Sequence, residues 1–270
     1  MLNMVFKTPL QVGLAQAAVA AMAALIVVLL ARRRGIHLET DTAIALLRGA
    51  VQIVAVGSIL VILLRGPRWT GGFFLAAMIL AAGATSKKRA RGLPGAFKVS
   101  TYAIACGAGS VIAVMTWLGV IDTAITTLIP VGSMLIANAM NTNGLALNRF
   151  RADVIAHTGE IETALALGAA PRESVALFSQ ASFEAGLIPA IDSLRSLGIV
   201  WIPGLMAGML LSGASPFYAA IYQFVVLAMV LAASGLTALV STLLIRTHAF
   251  YAGGTAHRSA RCGISITLWR

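Results

Sequence analysis

From Leu10 to Ala31 the chain carries no charged side chain, and that run alone rules out most folds. At about 1.5 Å of rise per residue, a helix of this length crosses a hydrocarbon core of roughly 30 Å. A barrel strand would alternate apolar and polar residues, which this run does not. In lipid the backbone must satisfy its own hydrogen bonds, so a helix is the solution that remains. The rest of the chain repeats the pattern: 59% of the 270 residues are hydrophobic and only 11% are charged. A soluble core has no use for so much apolar surface. The fold class that follows is all-α, a polytopic membrane protein. Arg32-Arg33-Arg34 follows the first run instead of preceding it, and no Ala-x-Ala-like site stands there, so the run reads as a retained helix.

Hydropathy predicts about seven spans, near Leu10–Ala31, Ala43–Leu64, Thr70–Ala84, Val99–Leu118, Ile125–Leu145, Leu187–Leu211 and Phe217–Ile245. With these in place, fifteen of the twenty lysines and arginines fall on one side. They are the Arg32 triplet, then Lys87, Lys88, Arg89, Arg91 and Lys98, then Arg149, Arg151 and Arg172, then Arg246, Arg258, Arg261 and Arg270. Lys7, Arg65 and Arg68 fall on the other side, while Arg48 and Arg195 lie within spans. The positive-inside bias then puts the amino terminus outside and the carboxyl terminus in the cytosol. It also accounts for the net charge of +11 without invoking nucleic acid. Residues 1–250 are expected to form one membrane domain, and 251–270 a flexible tail. Cys106 and Cys262, one in a span and one near the end, do not identify a redox compartment.

A polar island interrupts the apolar runs at about residues 148–185, with Arg151, Asp153, Glu160, Glu162, Arg172, Glu173 and Glu184. Val154, Ile161, Leu165 and Gly168 share one helical face, and Asp153, His157 and Glu160 another, so the segment is amphipathic. Gly168 can end that helix, and Pro171 can start the next. A helix along the membrane surface, followed by one turning back into it, suits a docking element; a surface helix that merely caps the bundle has the same pattern.

Polar residues inside spans are the other candidates. A cation at the bilayer centre costs about 2.5–3.5 kcal/mol, so Arg48, with Gln52 one turn on, should face a polar interior or snorkel. Asp192 and Arg195, three residues apart, can pair on one helix face, either along a solute path or as a self-contained bridge. Asn138, Asn141 and Asn143 can solvate a passing ion or bond neighbouring helices. Met134, Met140, Met206 and Met209 have soft sulfur atoms, but methionine in an apolar helix is usually filler. Gly204 and Gly208 form a GxxxG pair permitting close helix contact, and Pro203 beside them marks a hinge. His37, His157, His248 and His257 show no metal-ligand spacing, and no nucleophile–base arrangement emerges. The metal-binding residues, if any, are therefore unknown from sequence. A phosphate loop needs a glycine before its lysine, yet Lys7, Lys87, Lys88 and Lys98 follow Phe6, Ser86, Lys87 and Phe97. The chain is not expected to bind ATP that way.

Ordered motifs narrow the reading. Ile129-Pro130-Val131-Gly132-Ser133-Met134-Leu135-Ile136-Ala137-Asn138-Ala139-Met140-Asn141 leads to Leu145-Ala146-Leu147-Asn148-Arg149. Ile161-Glu162 and Ala164 through Pro171 follow, then Leu187-Ile188-Pro189, Ile202 through Gly208, Ser212 through Pro216, and Tyr222-Gln223. This order, with Arg48, Gln52 and Gly57 upstream, resembles the FetB/YbbM family of ABC-transporter permeases from about span two to span seven. That family includes bacterial permeases linked to iron export and plant proteins linked to aluminium tolerance. The resemblance implies a homodimeric permease of the inner (plasma) membrane, pairing with a separate cytosolic ATPase that binds the ATP and Mg; this chain binds no cofactor. It implies ATPase coupling through Glu162 to Gly168, to which the amphipathic pattern adds Asp153, Glu160 and Pro171; the polar residues within spans, Arg48, Gln52, Asn138, Asn141, Asp192 and Arg195, are the candidates for a path. The cargo it implies is a metal ion, iron, moved outward. Asp192 stands where the family commonly has asparagine, and Arg195 where it has an apolar residue. Two rivals remain: a stand-alone carrier driven by an ion gradient, and a non-transporting membrane scaffold that recruits an ATPase.

Overall fold

The computed structural model describes residues 9–33, 39–67, 69–89 and 95–251. The expected tail, 251–270, lies outside them from residue 252 onward, as do Lys7, Arg34, His37, Arg68, Arg91, His257, Arg258, Arg261, Cys262 and Arg270. Every regular element among the described residues is helical, as the composition predicts. The chain divides into two compact units, residues 1–66 and 67–270.

In the first unit, α1 (Pro9–Arg32) and α2 (Glu39–Leu64) pack on each other. Both are apolar all round, and none of their described residues is buried, the character of helices that meet lipid. The second helix begins at Glu39, ahead of the expected Ala43, and Asp41 puts an acidic group in its first turn, at the positive end.

The second unit starts with α3 (Trp69–Arg89), which outruns the expected Ala84, followed by α4 (Ala96–Ile104) and α5 (Ser110–Trp117). A wider π turn, Ala105–Gly109, joins these last two into one apolar rod. The central pillar is α6 (Ile125–Ala156), against which α3, α9 (Ala176–Ser196) and α11 (Pro216–Tyr251) all pack. Two short helices, α7 (Thr158–Ala166) and α8 (Pro171–Ser174), lie between α6 and α9, and α10 (Gly204–Leu211) lies between α9 and α11. The main core joins Leu135, Ile136 and Ala139 of α6 to Ile104 and Ala108, and to Val226, Val230 and Ala233 of α11. Pro130 sits inside α6 and Pro189 inside α9, each removing one helical N–H.

Three sequence expectations change. The predicted span ending at Leu145 continues to Ala156, so the first part of the polar island is the end of the pillar helix. The expected single helix from Asp153 to Gly168 breaks at His157 (φ −112°, ψ 28°). There the Thr158 hydroxyl donates to the carbonyls of Val154 and Ile155 at 3.0 Å, offering the backbone an alternative to continuing. The predicted span Leu187–Leu211 is two helices, with Leu197–Pro203 out of helical form between them. Gly198 (φ +74°) and Pro203 dictate this: one takes a left-handed conformation, and the other forces the residue before it out of the helical region.

Five stretches among the described residues are long and apolar enough to cross a membrane: Gln11–Leu30, Thr40–Leu64, Trp69–Lys87, Ala96–Trp117 and Pro216–Arg246. Asparagines in α6, and Gln180, Glu184 and Asp192 in α9, keep those two helices out of that class. Both helices nonetheless pack against each other and against α11 in the bundle. The chain is a multi-pass membrane protein.

Candidate functional site

The polar island is anchored, not loose. Ile161 of α7 and Val175, just before α9, are buried with Leu147 and Phe150 of α6, Ala96 of α4 and Ile245 of α11. Leu165 and Phe178 flank this second core. The apolar face predicted from Val154, Ile161 and Leu165 is therefore the face turned inward. His157 stacks on Phe178 with ring centroids 4.9 Å apart, which ties the α6–α7 break to α9. Arg246, near the end of α11, donates from Nη2 to the Ala176 carbonyl at 2.9 Å and holds the first turn of α9. The corner is thus bolted to four helices that run into the bundle.

Its outer face holds the residues free to meet something else. Glu160, Glu162, Gly168, Pro171, Arg172 and Glu173 are exposed, and Leu167 presents 83% of its surface. Gly168 ends α7 as predicted, at φ +93°. Its N–H donates to the Leu165 carbonyl at 3.1 Å, and the Ala169 N–H to that of Ala164 at 3.0 Å, the paired bonds of a Schellman turn. Pro171 opens α8 as predicted, its missing N–H costing nothing at a helix start. The turn therefore holds Leu167 out as a fixed apolar knob among acidic groups. Asp153 differs from the other coupling candidates. It is buried at the end of α6 and paired with Arg149 at 2.9 Å, so it braces the corner and does not face outward.

The residues expected along a path fall in both units of the chain, Arg48 and Gln52 in the first and the others in the second. Arg48 and Gln52 are exposed on α2, in the first unit. Asn138 donates its amide to the Met134 carbonyl of its own helix at 2.8 Å. Asn141 is exposed on α6. Asp192 and Arg195 pair with each other at 3.7 Å, and both are largely exposed. Among the described residues no three His, Cys, Asp or Glu side chains come together. Met134 and Met140 pack against the main core, the filler role. An alanine Cβ at Gly204 or Gly208 would meet nothing within 4 Å, so among the described residues this pair brings no helix close. Pro203 caps the start of α10 at the break, a position consistent with a hinge.

Of the three asparagines expected to solvate an ion or to bond neighbouring helices, Asn143 does the second. Fully buried, it donates to Ser86 of α3 at 2.5 Å and to Ser100 of α4 at 2.9 Å, tying three helices together. Its partners were not legible, because single serines in two apolar segments offer no local pattern. Asn143→Ala is expected to lower stability in detergent by about 1–2 kcal/mol, because interhelical bonds in membranes average well under a kilocalorie each and both serines can turn back to their own helices. Asn138→Ala should leave the unfolding transition where it is. Equal effects of the two changes would remove Asn143 from that role.

The chain matches the family described as "Uncharacterised protein family (UPF0014)" over residues 14–250. It is 33% identical over 232 residues to "UPF0014 membrane protein STAR2" of Oryza sativa subsp. japonica, covering 85% of this chain and 80% of the relative. It is 30% identical over 234 residues to "Protein ALUMINUM SENSITIVE 3" of Arabidopsis thaliana, covering 86% and 85%. It is also 30% identical over 228 residues to "Probable iron export permease protein FetB" of Escherichia coli (strain K12), covering 84% and 88%. No solved structure matches. The matched region takes in the pillar helix, the bolted corner and the broken helix pair, so the family resemblance read from those motifs stands: the chain belongs to the UPF0014 family of membrane proteins.

Proposed function

We propose that this chain is the membrane subunit of a two-component ABC exporter for metal ions, with iron the first cargo to try, driven by ATP hydrolysed on a separate cytosolic subunit. The observation that carries the reading is the corner at α7–α8: an exposed, acidic, apolar-tipped surface mounted on a core shared with α4, α6, α9 and α11. Force applied to Leu167 or Glu162 would reach membrane helices through packed side chains, which a merely capping helix does not require. The name of the Escherichia coli relative supports the cargo class. In this reading the chain has seven spans, counting α6 and the broken pair α9–α10 as one span each, with the amino terminus outside and the corner in the cytosol of an inner (plasma) membrane protein. Two copies would face two ATPase subunits, which bind the ATP and Mg.

The test is co-purification with the organism's stand-alone ATPase subunits, scoring hydrolysis in lipid with and without ferrous iron. A stable complex whose hydrolysis rises at least severalfold with iron is expected. Failure to bind any of these subunits would overturn the two-component reading, and binding without metal response would overturn the cargo.

A further inference from the structure

Two lysines meet at one end of the antiparallel pair formed by α3 and the α4–α5 rod. The pair is in close contact at Gly83, where an added Cβ would stand 3.2 Å from the Thr101 Cα. Further along, a Cβ at Gly109 would lie 3.7 Å from Ile79 Cδ1, which fixes the opposite directions of the two elements. One turn from the Gly83–Thr101 contact, toward the same end, come Lys87 on α3 and Lys98 on α4. They therefore sit at the same level on neighbouring helices.

Helical geometry also fixes their side. At about 100° per residue, Ser86 and Ser100 fall on one side of the Gly83–Thr101 seam, and Lys87 and Lys98 on the other. The hydrogen bonds agree, since both serines accept from the Asn143 amide of α6, while both lysines are exposed. The two ammonium groups thus share the face turned away from the pillar helix. Nothing in the chain neutralises them locally. No acidic residue occurs between Asp41 and Asp122, and neither lysine forms an ion pair among the described residues.

The depth of this pair is set by composition. The apolar stretch of α3 ends at Lys87, and that of the α4–α5 rod begins at Ala96, so both lysines stand at one membrane–water boundary. Toward the membrane interior the same face is apolar and open. Leu80 and Phe73, seven and fourteen residues before Lys87, are 56% and 71% exposed, and Tyr102, one turn beyond Lys98, is 63% exposed. Residues seven apart return to nearly the same helix face. The stripe from Lys87 to Phe73 is about 21 Å long, more than one leaflet of a hydrocarbon core of roughly 30 Å. A tyrosine just inside a boundary is a common interfacial anchor.

We propose that this face is a binding site for one anionic phospholipid, its phosphate held between Lys87 and Lys98 and its acyl chains laid along Phe73, Leu80 and Tyr102. A zwitterionic headgroup brings its own cation to the phosphate and leaves the two ammonium groups repelling each other. A headgroup with net negative charge relieves that repulsion. A second copy meeting this face about a two-fold axis would set lysine pair against lysine pair, with no acidic residue in either hairpin to offset them. The site goes beyond the permease reading and depends neither on an ATPase nor on which side of the membrane this boundary faces.

The test is native mass spectrometry of the full chain in detergent, titrated with phosphatidylglycerol and separately with phosphatidylcholine. One phosphatidylglycerol per chain should bind saturably, about tenfold or more tightly than phosphatidylcholine. Lys87→Gln and Lys98→Gln should each weaken it about fivefold, the weight of one basic residue beside an anionic headgroup. Lys87→Arg and Lys98→Arg should keep it. Arg65→Gln removes an exposed cation after α2 and should leave it unchanged. Thermal midpoints without added lipid, expected to be equal across these exposed-residue variants, show that each is folded. Equal binding of the two lipids, or equal losses in Arg65→Gln and the lysine variants, would overturn the site in favour of general attraction to a basic chain. Displacement of the lipid by millimolar inorganic phosphate would overturn it in favour of a soluble anion. A lower oligomeric mass in Lys87→Gln would overturn it in favour of a second copy. Every outcome leaves the ATPase reading untouched, since no ATPase is present.

Discussion

Gly107→Ala should cost the protein its folded bundle, or lower its stability by about 3 kcal/mol. The π turn carrying Gly107 lies against α11 so closely that an added Cβ would sit 2.0 Å from Thr237 Oγ1. It would also lie 2.7 Å from both the Ala233 carbonyl oxygen and the Thr237 backbone nitrogen. A hydroxyl can rotate away, but backbone atoms of a packed helix cannot, so the helices must separate. Overpacking of this kind typically costs 1–3 kcal/mol, and backbone contacts push it to about the upper end. The measurement is the thermal unfolding midpoint of the purified protein in detergent, beside Gly204→Ala and Gly208→Ala. Those two substitutions meet open space among the described residues and should leave the midpoint unchanged. A destabilised Gly208→Ala would report packing against a second copy, while an unaltered Gly107→Ala would mean the π turn does not seat on α11.

This contrast shows what the sequence could reveal and what it could not. A GxxxG spacing is visible in one helix, so Gly204 and Gly208 stood out. Close approach, however, depends on which faces meet, and it falls instead at Gly83 against Thr101, Gly107 against Thr237 and Gly186 against Thr142. Helix rotation is not written in a single uniformly apolar segment. The corner was more legible because its signals are local: Gly168 and Pro171 act through their own backbones, and the alternation of Ile161 and Leu165 with Glu160 fixes an inner face. Asp153 was misread for a related reason. Its place on the amphipathic face assumed one helix to Gly168, whereas the break at His157 leaves it on α6, four residues after Arg149. The break at Leu197–Pro203 was half legible: Pro203 marked a hinge, but the apolar run hid seven residues of irregular backbone. Such backbone survives in a membrane protein only where protein or water satisfies its groups.

If the chain works with a separate ATPase subunit as proposed, Leu167→Glu should abolish stimulation of that subunit while leaving the membrane protein folded. Leu167 touches little in its own chain, with 83% of its surface open, so the substitution removes no packing. A central apolar knob at an interface commonly contributes about 2 kcal/mol or more, which corresponds to complex formation weakened by at least about tenfold. Gly168→Val acts on the same knob through the backbone, since a β-branched residue resists φ +93° and would unwind the Schellman turn. Glu162→Lys should slow association and change its salt dependence, the mark of an exposed charge at a rim. Arg246→Met separates binding from transmission. It removes the bond to Ala176 that ties α9 to α11 without altering the outer face, so the complex should form with near-normal affinity but hydrolyse ATP at the unstimulated rate. Pull-down affinity and ATPase rate, measured on the same four variants in nanodiscs, distinguish these outcomes. If Leu167→Glu and Gly168→Val bind and stimulate like the unmodified protein, the α7–α8 corner is not the docking surface. If Arg246→Met stimulates normally, force passes into the bundle by the buried core of Phe150, Ile161 and Val175 alone, with no part taken by the arginine.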